Sequence, residues 1–320
     1  MRVASMRSRP TVAINLSDRR KGYLKSSIPD ARIVDTAADF PWTVPAEAAV
    51  LVSQETGWSG APVEAPSGWP HNLEWLHLVS AGIDSYPKWI VDVPVVTCGR
   101  HVNSRPIAEY ALAAILNAEK NLADARVVQA EDWHVREMGT LHRKTLGLVG
   151  VGAIGAQIAR LGQAFGMHVK AVRRRAAADG DPSIELLPSL HDLISQSDHF
   201  VICAPLTAET YHLLDSDVLA AARQGIHIIN VSRGALLDEK ALLAALSEGV
   251  VGRATLDVLE REPPFPDNPL LLHPAVHITP HISWIGGDTD QRIVSRVTDN
   301  YLRWQNGEPL KDQVDKLTGY

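Results

Sequence analysis

Short apolar runs separated by glycine, proline and polar turns make up the first third of the chain. TVAINL (11–16), ARIVD (31–35), AAVLVS (48–53), LEWLHLV (73–79) and VPVVTC (93–98) each read as a strand. Strand–crossover–strand repetition at this spacing predicts a parallel sheet with helices on its faces. The short spacing suits a flavodoxin-like strand order, with ligands at the strands' C-terminal ends. The period then changes. From Asn103 to about Val128, Ile107, Ala111 and Ile115 recur beside Ala108, Leu112 and Leu116, which predicts a long helix. Asn103 or Ser104 can cap it, and Pro106 fits its first turn. A helix this long between two α/β units is expected to cross their boundary, so Gly99–Ser104 marks the first crossing. Trp133 and His134 follow in a loop, Trp133 as a packing residue and His134 as an exposed one.

KTLGLVGVGAIG (144–155) combines an apolar strand with glycines at Gly150, Gly152 and Gly155, followed by an amphipathic helix and the strand HVKAV (168–172). In this context the first glycine permits a tight turn. The second lets backbone approach a pyrophosphate, and the third lets helix and strand pack closely. The helix start offers free amides and a partial positive charge. Strands HFVICA (199–204), GIHIINV (225–231), VVGRATLDVL (250–259) and VHITP (276–280) then alternate with helical segments at 188–198, 215–223 and 238–249. The segment 289–310 returns as a helix with Ile293, Val297 and Tyr301 on one face. The expected fold is therefore α/β, with two doubly wound parallel-sheet domains. A Rossmann cofactor domain (103–285) is inserted into a flavodoxin-like substrate domain (1–102 and 286–320).

Composition narrows the partners. The apolar share is 45%, the charged share 21% and the net charge −6, so there is a core to bury and no general attraction to nucleic acid or acidic membrane. No run of 18 apolar residues occurs, so no membrane span is expected. Residues 1–9 are basic without an apolar region and read as a tail rather than a secretory signal. Cys98 and Cys203 lie in or beside apolar strands and read as reduced core thiols of a cytoplasmic protein. No metal site is assigned. Trp42, Trp58, Trp69, Trp75 and Trp89 read as core or surface anchors.

The polar residues that remain stand just past strand ends. Ser80-Ala81-Gly82 can offer backbone amides to an anion. Arg173-Arg174-Arg175 ends the second strand after the glycine turn, where an acidic residue would take the adenosine ribose hydroxyls. Arginine there suits a 2′-phosphate, which favours NADPH while leaving NADH possible. Arg233, Glu262 and His281 come from three successive strand ends. Reduction of a 2-keto acid needs such a set. A cation polarises the carbonyl and grips the carboxylate, and an acid protonates the developing alkoxide. A carboxylate beside the histidine raises its pKa and keeps it charged.

These motifs resemble the D-isomer-specific 2-hydroxyacid dehydrogenases. The matching stretches are Ser80 with Ala81–Asp84, KTLGLVGVGAIG, APLTAET (204–210), INVSRGALLDEKAL (229–242), TLDVLEREPP (255–264) and TPHIS (279–283). The resemblance implies Arg233 as the polarising group, Glu262 as the pairing acid and His281 as the proton donor. It implies Gly150, Gly152, Ala153, Ile154 and Gly155 at the pyrophosphate, Pro205 and Thr210 on the adenine and ribose side, and Asp257 at the nicotinamide carboxamide. Ser80, Ala81 and Gly82 would hold the substrate carboxylate. The active site is expected between the domains, and a homodimer is implied. Three departures stand out. Arg173 replaces the usual acid, as in NADP-preferring glyoxylate and hydroxypyruvate reductases. RPIAEYAL (105–112) is similar to the 2-ketoacid reductase branch, though Glu109 has no derivable role. Trp284 follows the histidine turn, where it would shape the substrate pocket or pack. The expected reaction is NADPH-dependent reduction of a small 2-keto acid to its D-2-hydroxy acid. Two rivals share the scaffold: a formate-type dehydrogenase, which Glu262 argues against, and a dinucleotide-sensing, corepressor-like binding protein.

Overall fold

The structure, a computed structural model, describes residues 9–123, 125–173 and 181–316. It divides into two compact units, Met1–Asn103 with Gly286–Tyr320, and Ser104–Ile285. The first unit opens with β1 (Thr11–Asn15), α1 (Asp18–Ser27), β2 (Arg32–Asp35), β3 (Ala48–Ser53), β4 (Trp75–Leu78) and β5 (Val95–Cys98). The second contains α2 (Ser104–Lys120), β6 (Thr145–Val149), α3 (Ala153–Ala164), β7 (His168–Val172), β8 (Glu185–Leu186), α4 (Leu190–Ser195) and β9 (His199–Ile202). It continues with α5 (Ser216–Ala220), β10 (Ile226–Asn230), α6 (Glu239–Ser247), β11 (Val251–Leu256) and β12 (Val276–Ile278). Helix α7 (Thr289–Asn306) belongs to the first unit.

The first sheet is parallel throughout, in the flavodoxin-like order β2-β1-β3-β4-β5. One face, with Val12, Ile14, Val50, Val52 and Trp75, packs on Leu24 of α1, on Ile28 just after it, and on Val294, Val297, Tyr301 and Trp304 of α7. The other face differs from the expected helical cover. Ala13, Leu51, Leu76 and Leu78 lie under Trp42, Trp58, Tyr86 and Trp89, which come from loops and short 3-10 turns. Pro41, Pro45, Pro62, Pro66, Pro70 and Pro87 break these crossovers, because each lacks an amide donor and clashes with a helical turn. Large rings fill the volume instead. Two of their N–H groups are satisfied, Trp58 donating to Ser53 Oγ at 2.8 Å and Trp89 to the Pro62 carbonyl at 3.0 Å.

The second sheet, also parallel, runs β12-β11-β10-β9-β6-β7-β8. Its strand order reverses between β6 and β9, where an open α/β sheet takes its ligand. Alternation along the strands feeds two cores. Leu146, Leu148, Val169, Val201 and Ile229 pack on Ile107, Ala111 and Ile115 of α2 and Ile158 of α3. Val149, Phe200, Ile202, Ile228 and Leu256 pack on α4, α5 and α6 through Leu193, Leu219 and Leu242. Each fully buried leucine contributes roughly 1.5–3 kcal/mol of transfer free energy.

Two details correct the sequence reading of the second unit. The long helix ends at Lys120 rather than near Val128, because Asn121 turns left-handed at φ 41. Trp133 does not pack: it is 83% exposed. The two-residue edge strand β8 has no apolar run to announce it. No helix among the described residues is long and apolar enough to cross a membrane.

Candidate active site

The glycine turn joins β6 to α3 at the point of strand reversal. Gly150 adopts φ +96, which a side chain disfavours, and a Cβ on Gly155 would stand 2.2 Å from the Gly150 carbonyl oxygen. Helix α3 begins at Gly152, which has no side-chain cap, and a Cβ there would meet nothing within 4 Å. The neighbouring helices differ. Ser189, Asp215 and Asp238 each accept an amide at the start of α4, α5 and α6. Among the described residues, the first amides of α3, including Ala153 and Ile154, thus have neither an intrahelical acceptor nor a side-chain cap. An uncapped helix start with open space over its glycine fits a pyrophosphate. The Cys203 thiol, which donates toward the Gly150 carbonyl at 3.1 Å, is pushed up to about 12 by burial and stays protonated.

Arg233, Glu262 and His281 are brought together past the C-terminal ends of β10, β11 and β12. His281 Nδ1 lies 2.7 Å from Glu262 Oε2. The second carboxylate oxygen of Glu262 accepts the Leu259 amide at 3.0 Å. The Glu262 bond raises the His281 pKa. Burial opposes that, the Glu262 and Asp257 charges add to it, and Arg233 reduces it. Burial pushes Glu262 upward, but the His281 bond and charge, the Leu259 amide and Arg233 together hold it low. Both effects favour a charged pair, with His281 Nε2 left as the ring nitrogen that can deliver a proton. Arg233 is set in its turn by Asn230, whose side chain donates to the Arg233 carbonyl at 2.8 Å. Gly234 lets the next loop pass closely, since a Cβ there would lie 1.8 Å from the Leu259 carbonyl carbon.

His281 adopts φ 54, uncommon for a non-glycine residue. Its turn is clamped by Asp257, which is 1% exposed. Asp257 Oδ1 accepts from the Thr279 hydroxyl at 2.6 Å and the Ile282 amide at 2.9 Å, and Oδ2 accepts the Ser283 amide at 2.9 Å. The Asp257 contacts are thus with the turn that carries His281. Trp284 packs against the core under α2 and α3, and its N–H donates to the His281 carbonyl at 2.9 Å. Thr210 closes its own loop, donating to the Pro205 carbonyl at 2.8 Å and accepting the Thr207 amide at 2.7 Å. Arg173 directly follows β7 and is half-buried, whereas Arg174 and Arg175 lie outside the described residues.

Ser80, Ala81 and Gly82 lie on the five-stranded unit, after β4. The Ser80 hydroxyl donates to the Gly82 carbonyl at 2.8 Å. Among the described residues the Ala81 and Gly82 amides have no acceptor, so the loop can donate to a carboxylate. Also among the described residues, no group of three or more His, Cys, Asp or Glu side chains could hold a metal ion.

Sequence reasoning overlooked Tyr110 and Thr279, whose hydroxyl oxygens are 2.6 Å apart. Thr279 lies inside a recognised motif, but its bond reaches across 169 positions of sequence, which periodicity does not reveal.

The family model described as the NAD-binding domain of D-isomer-specific 2-hydroxyacid dehydrogenases matches residues 112–283. The chain is 35% identical over 210 residues to a glyoxylate reductase of Korarchaeum cryptofilum, covering 63% of each. It is 34% identical over 221 residues to the D-3-phosphoglycerate dehydrogenase of Bacillus subtilis, covering 67% of this chain and 41% of that one. The match therefore spans less than two thirds of either relative. A D-isomer-specific 2-hydroxyacid dehydrogenase from Xanthobacter autotrophicus Py2, solved with NADPH and MES, superposes with a TM-score of 0.80 at 28% identity. That superposition covers 98% of this chain and 100% of the other.

Proposed function

Since the chain belongs to the D-isomer-specific 2-hydroxyacid dehydrogenase family, we propose that it reduces a small 2-keto acid of the glyoxylate or hydroxypyruvate class, with NADPH preferred. The observation that carries this reading is the 2.7 Å His281–Glu262 pair beside Arg233, on the same sheet as an uncapped glycine turn. The α3 amides would hold the pyrophosphate and Arg173 the 2′-phosphate. When bound, the dinucleotide supplies the hydride that C2 of the keto acid accepts. Arg233 polarises the carbonyl and draws its electron pair toward oxygen. His281 Nε2 gives its proton to that oxygen, completing the hydroxy acid. Glu262 keeps the ring oriented and its charged form favoured until the transfer. The neutral imidazole then regains a proton from solvent.

The test is loss of NADPH absorbance with a panel of glyoxylate, hydroxypyruvate, 3-phosphohydroxypyruvate and pyruvate. Turnover of glyoxylate and hydroxypyruvate is expected. Preference for the phosphorylated acid would move the substrate to the phosphoglycerate class. Tight NADPH binding without turnover of any acid would favour a dinucleotide sensor. Arg173→Ala is expected to weaken NADPH more than NADH; equal weakening would remove the cofactor preference. A homodimer is part of the same reading, and sedimentation at micromolar concentration tests it.

A further inference from the structure

His281 is held in an unfavourable backbone region, and one buried carboxylate does most of the holding. The Asp257 backbone carbonyl accepts the His281 amide at 2.8 Å, while its side chain takes three donors from the same turn. No cation among the described residues forms an ion pair with Asp257, so its charge is stabilised by hydrogen bonds. A buried charge without a counter-ion is costly, and each donor to it matters more than an exposed one would.

Proton accounting fixes the direction of the contacts behind it. An ionised carboxylate only accepts, so the Thr279 hydroxyl hydrogen is committed to Asp257 Oδ1 at 2.6 Å. Tyr110, 2.6 Å from the same Thr279 oxygen, must then donate its own hydrogen. Burial pushes the Tyr110 phenol pKa up, the Thr279 bond opposes this, and the Asp257 charge adds to it. The phenol therefore stays a donor at every physiological pH. A one-way chain runs from Tyr110 on α2 through Thr279 to Asp257, and from Asp257 into the His281 turn.

We propose that Thr279 and Tyr110 are positioning residues for proton transfer by His281, acting through Asp257 on the geometry of the His281–Glu262 pair. This rests on the reading of His281 as the proton donor. If the chain loosens, the Asp257 carboxylate shifts toward its other donors. That shift frees the backbone at His281, and the imidazole loses registry with Glu262. The groups facing His281 are Glu262, Asp257 and Arg233. Of the two acids, Asp257 is the one that Thr279 and Tyr110 act on.

The experiment compares Thr279→Val, Thr279→Ser and Tyr110→Phe in the full chain. It measures kcat, KM and the pH profile of 2-keto acid reduction, with the His281 imidazole titrated by NMR in the resting protein. Thr279→Val is expected to lower kcat by about tenfold or more, as for loss of one hydrogen bond to a charged group, with a smaller change in KM. The alkaline limb of the profile and the His281 midpoint should both move to lower pH. Thr279→Ser restores the donor and should return both toward wild type, and Tyr110→Phe should move them the same way by less. Reduced thermal stability with unchanged kcat and an unchanged His281 midpoint would overturn the proposal. A serine variant as impaired as the valine variant would overturn it too. If the wild type reduces no 2-keto acid, the reaction reading fails, while the NMR midpoints still decide whether Thr279 and Tyr110 position the ring.

Discussion

At the carboxyl ends of β10 to β12, His281 bonds Glu262 and is held toward its charged form. At the amino ends of β9 and β10 in the same sheet, His199 and His227 face each other, Nδ1 to Nδ1, at 3.1 Å. His199 Nε2 lies 3.1 Å from Glu119, and His227 Nε2 lies 2.9 Å from the Thr255 hydroxyl. One neutral arrangement satisfies every atom. His199 donates to Glu119, His227 donates to His199, and Thr255 donates to His227. Burial pushes His199 down to about 4, against the pull of Glu119, and Lys144 lowers it further. Burial likewise holds His227 well down. Both His199 and His281 have a glutamate partner, yet their pKa values move in opposite directions. The carboxylate therefore does not decide the outcome alone. His199 is 2% exposed and shares Glu119 with Lys144, whereas the His281 side chain is 42% exposed and bonds Glu262 without a lysine between them.

The sharpest way to break the contrast is to delete each histidine in turn. His281→Ala should cut kcat by about 100-fold or more, the scale of a lost general acid. Near-normal turnover would dismiss His281 as the donor. His199→Leu should leave kcat unchanged but destabilise the chain by roughly 1–3 kcal/mol, since it leaves the buried His227 Nδ1–H without its acceptor and removes one of the two groups bonded to Glu119. Denaturant titration measures that loss, and none would mean that the network contributes nothing to stability. Glu262→Gln removes the carboxylate whose hydrogen bond is the largest cause of the raised His281 pKa. A raised histidine pKa keeps the donor charged to higher pH, so its loss should bring the alkaline limb of reduction to lower pH. A limb that stays in place would show Glu262 to be incidental. The smallest effect is acid sensitivity. A histidine depressed from 6.5 to about 4 makes the unfolded chain bind more protons between those values. Stability should be full above pH 6.5 and fall as the pH drops toward 4, less steeply in His199→Leu.

The same contrast explains what was legible in the sequence. Arg233, Glu262 and His281 each end a strand in a run of recognisable motifs, and an open parallel sheet gathers such ends on one edge. His199 and His227 sit mid-pattern in apolar strands. They meet only because β9 pairs with β10 in register, His227 opposite His199, and a sequence does not state register. The tryptophan-rich cover of the first sheet was hidden for a related reason. Proline-broken loops have no period, so their rings could be assigned to a core but not to a face. The end of α2 was hidden too, because apolar residues continue beyond Lys120 while the backbone turns at Asn121.

Gly234 sets a limit on how this chain can change over evolutionary time. Even alanine would place a methyl carbon 1.8 Å from the Leu259 backbone, so no single substitution there is accessible unless the loop leading to Glu262 moves first. The route from this sequence to one with a different arginine–glutamate spacing therefore has a closed first step. Pocket-lining residues can drift one at a time, while the contact between the arginine turn and the glutamate loop changes only as a block.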